Sequence, residues 1–145
     1  MRRPKWCLAR IVSRRLGSVI DSGKAIALGV ANPDDEVWDY YLRKTAPKSA
    51  LPVASVLTIP AAGSEMSEAT VITNEDGNVK LGYGHYLLRP KFAIMNPERT
   101  FTLPPYQTAA GVTDMMMHMF ERYFTKDDDM DLTTDLTEAT LRRVK

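Results

Sequence analysis

Asp114 and His118 stand four positions apart. A helix turns once in about 3.6 residues, so on a helix the carboxylate and the imidazole share one face, one turn apart. Such a pair can chelate a single divalent cation as two members of a larger ligand shell. It can equally hydrogen-bond to itself on a core helix with no metal, and the spacing alone does not decide between the two. The neighbours sharpen the question. Val112, Met115, Met116, Met117, Met119, Phe120, Tyr123 and Phe124 leave almost no polar side, which predicts a buried helix. A buried carboxylate needs a positive side chain or a metal beside it, because its desolvation otherwise costs several kcal/mol or forces it to neutralise.

The elements that must position this pair follow from the order of the chain. Ser18 is a good N-cap for an apolar-periodic helix through Val19, Ile20, Ala25, Ile26 and Leu28, with Gly29 as its stop. Asn32-Pro33-Asp34-Asp35 then reads as a turn into a second helix over Glu36–Leu42, with acids placed favourably for the helix dipole. Val53–Ile59 is an apolar, β-branched run between Pro52 and Pro60, hence a buried strand. Ala69–Thr73 and Val79–Tyr83, parted by Asn74-Glu75-Asp76-Gly77, predict a hairpin in which Gly77 supplies the positive φ. His85 falls in a loop and is expected at the surface. Phe92–Met95 is a short strand ending at Asn96-Pro97-Glu98. Thr102 would cap the helix that opens at Pro104 and Pro105, since proline suits a first turn. After Phe124 an acidic stretch from Lys126 to Asp131 lacks the glycine and terminal glutamate of a calcium loop. A last helix is predicted from Thr133 to Lys145.

Composition bounds the class. The chain has 145 residues, 44% hydrophobic and 26% charged, which suits ordinary globular material, and a net charge of +1 argues against a general nucleic-acid or membrane-surface role. A single cysteine, Cys7, excludes an internal disulfide framework and fits a reducing cytosol, so a cytoplasmic protein is expected. No apolar run is long enough for a transmembrane helix. Met1 to Leu16 differs from the rest, with six basic residues and no acid. A targeting peptide, a nucleic-acid arm and an atypical N-terminus compete for it. The last is favoured, because there is neither a long apolar region nor more than one aromatic for stacking.

From Ala93 to Tyr123, AIMNPERTFTLPPYQTAAGVTDMMMHMFERY resembles the iron-containing (group III) alcohol dehydrogenase family, in particular its NAD(P)H-dependent butanol dehydrogenase branch. The resemblance rests on a short strand, an N-P-E turn, a T-x-x-L-P-P segment and a helix bearing D-x-x-x-H. Upstream, GSVIDSGKAIALG at Gly17–Gly29 is similar to the end of the family's G-G-G-S-x-x-D-x-x-K phosphate loop, and LPVASVLTIPAAGSEMS at Leu51–Ser67 to its strand and T-x-x-x-x-G-S-E loop.

The resemblance implies an α/β dinucleotide-binding part over 17–103, then the first helices of an all-α metal-binding domain over 104–145, with 1–16 atypical: an incomplete dehydroquinate synthase-like fold. It implies Asp114 and His118 as ligands of a divalent metal, Fe²⁺ or else Zn²⁺, and NAD or NADP as cofactor. Gly17, Ser18, Asp21, Thr58, Lys80, Thr100 and Thr102 are the implied cofactor contacts, the first of them through a helix N-terminus that favours a pyrophosphate. Leu16, where the family has a glycine, crowds that approach. Read without the resemblance, Thr58 belongs to a plain strand-to-helix loop and Lys80 to a solvated edge strand. No residue is assigned to proton transfer or nucleophilic attack. The implied substrate is a small alcohol or aldehyde, and the implied assembly a homo-oligomer. After His118 the chain contains no further histidine. It is therefore expected to be a central fragment without dehydrogenase activity alone, and a poorly behaved one because the apolar Val53–Ile59 strand and Met115–Phe124 helix need partners; the competing class is a non-enzymatic binding or interaction protein that keeps a piece of this fold.

Overall fold

The computed structural model describes residues 18–126 and 129–144, so Gly17 and the basic N-terminal stretch lie outside the described residues, as does part of the acidic stretch. The chain divides into two compact units, with the boundary between Phe101 and Thr102.

The first unit contains α1 (Ser18–Ala31), α2 (Val37–Tyr41), β1 (Ala54–Leu57), β2 (Ala69–Asn74), β3 (Val79–Gly84) and β4 (Phe92–Met95), with short 3-10 turns at Tyr86–Leu88 and Pro97–Thr100. β1 and β4 pair in parallel, Ala54 opposite Phe92 and Leu57 opposite Met95. β2 and β3 pair antiparallel, Ala69 opposite Gly84 and Asn74 opposite Val79. Gly77 takes φ 87° in the hairpin turn as expected, and Asn78 beside it takes φ 58°, a conformation that asparagine tolerates better than most residues.

The core of this unit lies where α1, α2, β3 and the Tyr86–Leu88 turn converge, on Ala25, Leu28, Tyr40, Tyr41, Tyr83 and Leu88. α1 packs against β2 and buries Ile20, Ala25, Ala27 and Leu28, one face of a helical period. Gly29 is not its stop. The helix continues to Ala31, and a Cβ on Gly29 would lie 2.7 Å from Val37 Cγ2, so the glycine serves the close approach of α2. The end of the helix is instead held by Asn32, whose Nδ2 donates to Leu28 O and to Ser49 O, both at 2.8 Å. β1 is shorter than the expected Val53–Ile59, although Val53 O accepts from Lys91 N–H at 2.8 Å just before it.

Tyrosine hydroxyls tie these elements together. Tyr41 and Thr70 hydroxyls lie 3.1 Å apart, and Thr70 Oγ1 donates to Asp21 O at 2.8 Å. A threonine has one hydroxyl hydrogen, so Tyr41 is the donor to Thr70. The Tyr41 ring also stacks on Trp38 with centroids 5.4 Å apart. His85 lies in the loop after β3, as expected, but is half-buried rather than at the surface: it stacks on Tyr83 with centroids 6.2 Å apart and, through Nδ1, accepts from Leu87 N–H at 3.3 Å, capping the 3-10 turn.

Tyr40 is fully buried, and its hydroxyl donates to Asp35 Oδ2 at 2.7 Å. Burial, then the hydrogen bond to Asp35 and that group's negative charge, push the phenol up to about 12. An unfolded tyrosine ionises near pH 10, so between the two values the folded state holds the proton that the unfolded state has released. Stability is therefore intact below about pH 10 and falls as pH rises toward 12. In Tyr40→Phe that alkaline fall is expected to be shallower than in the parent chain, measured as denaturation midpoints at the two ends of the window; equal slopes would contradict it.

The second unit contains α3 (Pro105–Tyr123) and α4 (Asp131–Arg143), which pack on each other. α3 is not the enveloped helix that its composition predicts. None of its residues is buried, and Met115 and Met117 are 48% and 54% exposed. A helix apolar on all sides needs several neighbours, and within this unit α4 covers one side of it. Thr102 does not cap α3 either: the N-cap position is Pro104, whose carbonyl accepts from Gln107 N–H at 2.9 Å. α4 starts at Asp131 rather than Thr133, which places the Asp131 carboxylate at the positive end of the helix dipole. Among the described residues no helix is long and apolar enough to cross a membrane.

Candidate functional site

Two sets of residues carry the candidate chemistry, one in each unit. In the first, the parallel pairing of β1 with β4 sends both strands out at the same sheet edge, and ligands of α/β sheets bind beyond the carboxyl ends of parallel strands. Thr58 follows β1 directly, and Asn96 follows β4. The Asn96 side chain accepts from Glu98 N–H at 3.0 Å and opens the turn that ends at Thr100, whose Oγ1 donates to Pro97 O at 2.7 Å. Thr58 and the Thr100 turn are thus brought to one edge. Lys80 is not on it: it is exposed on β3 opposite Thr73, in the other sheet. Ser18 is the first residue of α1, and Thr102 is exposed at the start of the second unit.

Asp21 is buried and works on the hairpin. Its Oδ2 accepts from Val71 N–H at 3.0 Å, while Oδ1 is buried without a hydrogen-bond partner. One turn on, the fully buried Lys24 donates from Nζ to Ser67 O at 2.8 Å and to Ala69 O at 2.7 Å. Burial pulls the ammonium below its ordinary range, against the opposing charges of Asp21 and Glu65. In the sequence Lys24 stands only as the lysine that matches the D-x-x-K end of the motif at Gly17–Gly29, with no role assigned. The signal was there in the D-x-x-K spacing: an acid and a base on one face, among residues that must be buried. Together they hold the start of β2 and the far end of the loop that leaves β1 at Thr58 and turns at Gly63 with φ 67°.

In the second unit, Asp114 and His118 face each other on α3 with Oδ2 and Nε2 3.7 Å apart, their side chains 68% and 61% exposed. On the other side of the imidazole, Nδ1 lies 3.2 Å from Glu121 Oε2. A carboxylate oxygen and an imidazole nitrogen one helical turn apart are a mixed donor set suited to Fe²⁺ or Zn²⁺. The residues therefore fit a metal, as two of its ligands. Among the described residues no three histidine, cysteine or acidic side chains are grouped to hold one.

Residues 17–97 match the model of a family described as iron-containing alcohol dehydrogenase. The chain is 45% identical over 126 residues to NADH-dependent butanol dehydrogenase A of Clostridium acetobutylicum, covering 87% of this chain and 32% of that protein. It is 37% identical over 128 residues to an NADPH-dependent aldehyde reductase of Escherichia coli, covering 86% of this chain and 33% of the reductase. Among solved structures, the NADH-dependent butanol dehydrogenase A of Thermotoga maritima superposes with a TM-score of 0.76 at 39% identity, over 88% of this chain and 32% of that one. The chain thus spans about a third of the length of the relatives that it matches.

Proposed function

The chain belongs to the iron-containing alcohol dehydrogenase family, and from that premise we propose that it supplies part of the site of an NAD(P)-dependent oxidoreductase interconverting alcohols with aldehydes or ketones. The observation that carries this reading is the Asp114 and His118 pair, one turn apart on α3 with donor atoms 3.7 Å from each other. They hold the divalent ion as two of its ligands, Fe²⁺ by the family's description or Zn²⁺ by the donor set. When bound, that ion would supply Lewis acidity toward the substrate oxygen, and the nicotinamide would supply the hydride chemistry.

The work of this chain's own residues is binding and orientation. Thr58 and Thr100, at the carboxyl edge of the β1–β4 pair, are the cofactor contacts that this geometry supports best; Lys24 and Asp21 anchor the far end of the loop that begins at Thr58, where it enters β2. Gly17, Ser18, Lys80 and Thr102 belong to the cofactor reading through their family positions. The similar proteins include one named for NADH and one named for NADPH, so either cofactor is compatible. Residues 17–103 serve as the cofactor part and 104–145 as the start of the metal-binding part. A homo-oligomer in a reducing cytosol belongs to the same reading, supported for the compartment by a single cysteine.

Catalytic sites of this type use at least three protein ligands, so the 145-residue chain alone is expected to bind the ion without turnover. The test is a titration of the purified chain with Zn²⁺ or Co²⁺, followed by an assay with NADH or NADPH and butyraldehyde that monitors reduced nicotinamide absorbance. Asp114→Asn and His118→Ala should each weaken binding by at least about tenfold, since each removes one of few donors. Binding that survives both substitutions would sink the metal reading. Turnover that vanishes in both would show instead that the chain, as an oligomer, assembles a full site.

A further inference from the structure

The imidazole of His118 lies between two carboxylates on one helix, and the two contacts are unequal. Glu121 Oε2 is 3.2 Å from Nδ1, at the outer end of hydrogen-bond range, whereas Asp114 Oδ2 is 3.7 Å from Nε2, beyond it. A carboxylate only accepts, and a neutral imidazole carries one ring hydrogen. That hydrogen therefore belongs on Nδ1, donated to Glu121, and the Nε2 lone pair is left facing Asp114.

We infer that Glu121 is a positioning residue for His118: it fixes the Nδ1–H tautomer and the ring orientation, so that Nε2 and Asp114 Oδ2 present a preorganised pair to a divalent cation. This rests on the metal reading of Asp114 and His118 given above. Glu121 is not a third ligand in this arrangement. It meets the ring at the nitrogen away from Asp114, and no set of three such side chains is grouped on one point among the described residues. The helix dictates the layout, because residues at i−4 and i+3 from His118 flank it from the turns before and after. Histidines that bind metals through one nitrogen commonly donate from the other to a carboxylate, and losing that partner typically costs about tenfold or more in metal affinity.

The test has one arm without metal. The chain contains only two histidines, His85 and His118, so ¹⁵N spectra of the metal-free protein in alkaline buffer can be assigned with a His85→Gln variant. The parent chain should show His118 predominantly with hydrogen on Nδ1. Glu121→Ala should return it toward the Nε2–H form that free imidazole side chains prefer, and Glu121→Gln, whose amide oxygen still accepts, should keep the Nδ1–H form. In the second arm, Zn²⁺ affinity should fall about tenfold in Glu121→Ala and be largely restored in Glu121→Gln, with helix content followed by circular dichroism in each variant. A loss as large in Glu121→Gln as in Glu121→Ala would mean that Glu121 acts through its charge alone and would overturn the inference. So would an unchanged tautomer in Glu121→Ala. If the parent chain binds no Zn²⁺ at all, the metal reading of the pair fails, while the tautomer arm still decides whether Glu121 orients the ring.

Discussion

Lys24→Met should lower the unfolding free energy by about 3 kcal/mol, although methionine matches the length of the lysine stem and suits a helix. The ammonium donates to the carbonyls of Ser67 and Ala69 at 2.8 and 2.7 Å in a fully buried position. Hydrogen bonds to charged groups contribute about 1.5–3 kcal/mol each, and their loss strands two acceptors. It also removes the positive charge of Lys24 from beside the Asp21 carboxylate, which already has one unpartnered oxygen. Release of the buried charge offsets part of this, which is why the expected total lies at the low end of the sum of the two bonds. Urea unfolding followed by circular dichroism measures it; a change under about 1 kcal/mol would show that water or the loop replaces the ammonium. The pH dependence has a definite sign. Because the folded-state ammonium titrates below the ordinary lysine range, the unfolded chain holds more protons in that window, and this group makes stability rise with pH up to about 10.5. Lys24→Met should abolish that rise, leaving the opposite tyrosine trend above it.

Leu28→Ala should cost about 4 kcal/mol, in the upper half of the range for such truncations. Leu28 is 0% exposed and shares its cluster with Tyr40, Tyr41, Tyr83 and Leu88. Tyr40 and Tyr41 are pinned by hydroxyl bonds to Asp35 and Thr70. Neighbours that are held in this way cannot collapse into the space that Leu28 vacates, and an uncollapsed cavity is what raises the cost. Ile26→Ala, two positions away on the same helix but 59% exposed, should change stability by less than about 1 kcal/mol. Similar losses from the two substitutions would place the core elsewhere.

What was legible in the sequence was local. The hairpin and β4 are written in a period of two and in turn residues, so their spans agree closely with expectation. Gly29 misled because a glycine has two uses, ending a helix or admitting a neighbour, and only the position of Val37 decides between them. The surroundings of α3 were not legible at all, since an apolar surface specifies that something should cover it and not what does. The same divide runs through the candidate site. That Asp114 and His118 share a helix face is readable from spacing, though not what they bind; the edge shared by Thr58 and Thr100 becomes visible only once β1 and β4 are paired across the chain. An acid three positions after a histidine reads as a solvated charge until Nδ1 is seen 3.2 Å from Glu121.

The parallel pairing of β1 with β4 has a further consequence for how length variation can enter the fold. Ala54 meets Phe92, and the whole β2–β3 hairpin lies within the intervening chain. Closing so long a loop from an unstructured chain carries a conformational entropy cost that grows with its length. Once β2 and β3 are zipped, however, the hairpin is a stem whose two ends, Ala69 and Gly84, already sit side by side. The effective loop then consists only of the segments on either side of that stem. Residues added at the Asn74–Val79 tip leave this distance unchanged, whereas residues added between Leu57 and Ala69, or between Gly84 and Phe92, lengthen the span that must be closed and loosen the pairing that brings Thr58 and the Thr100 turn to one edge.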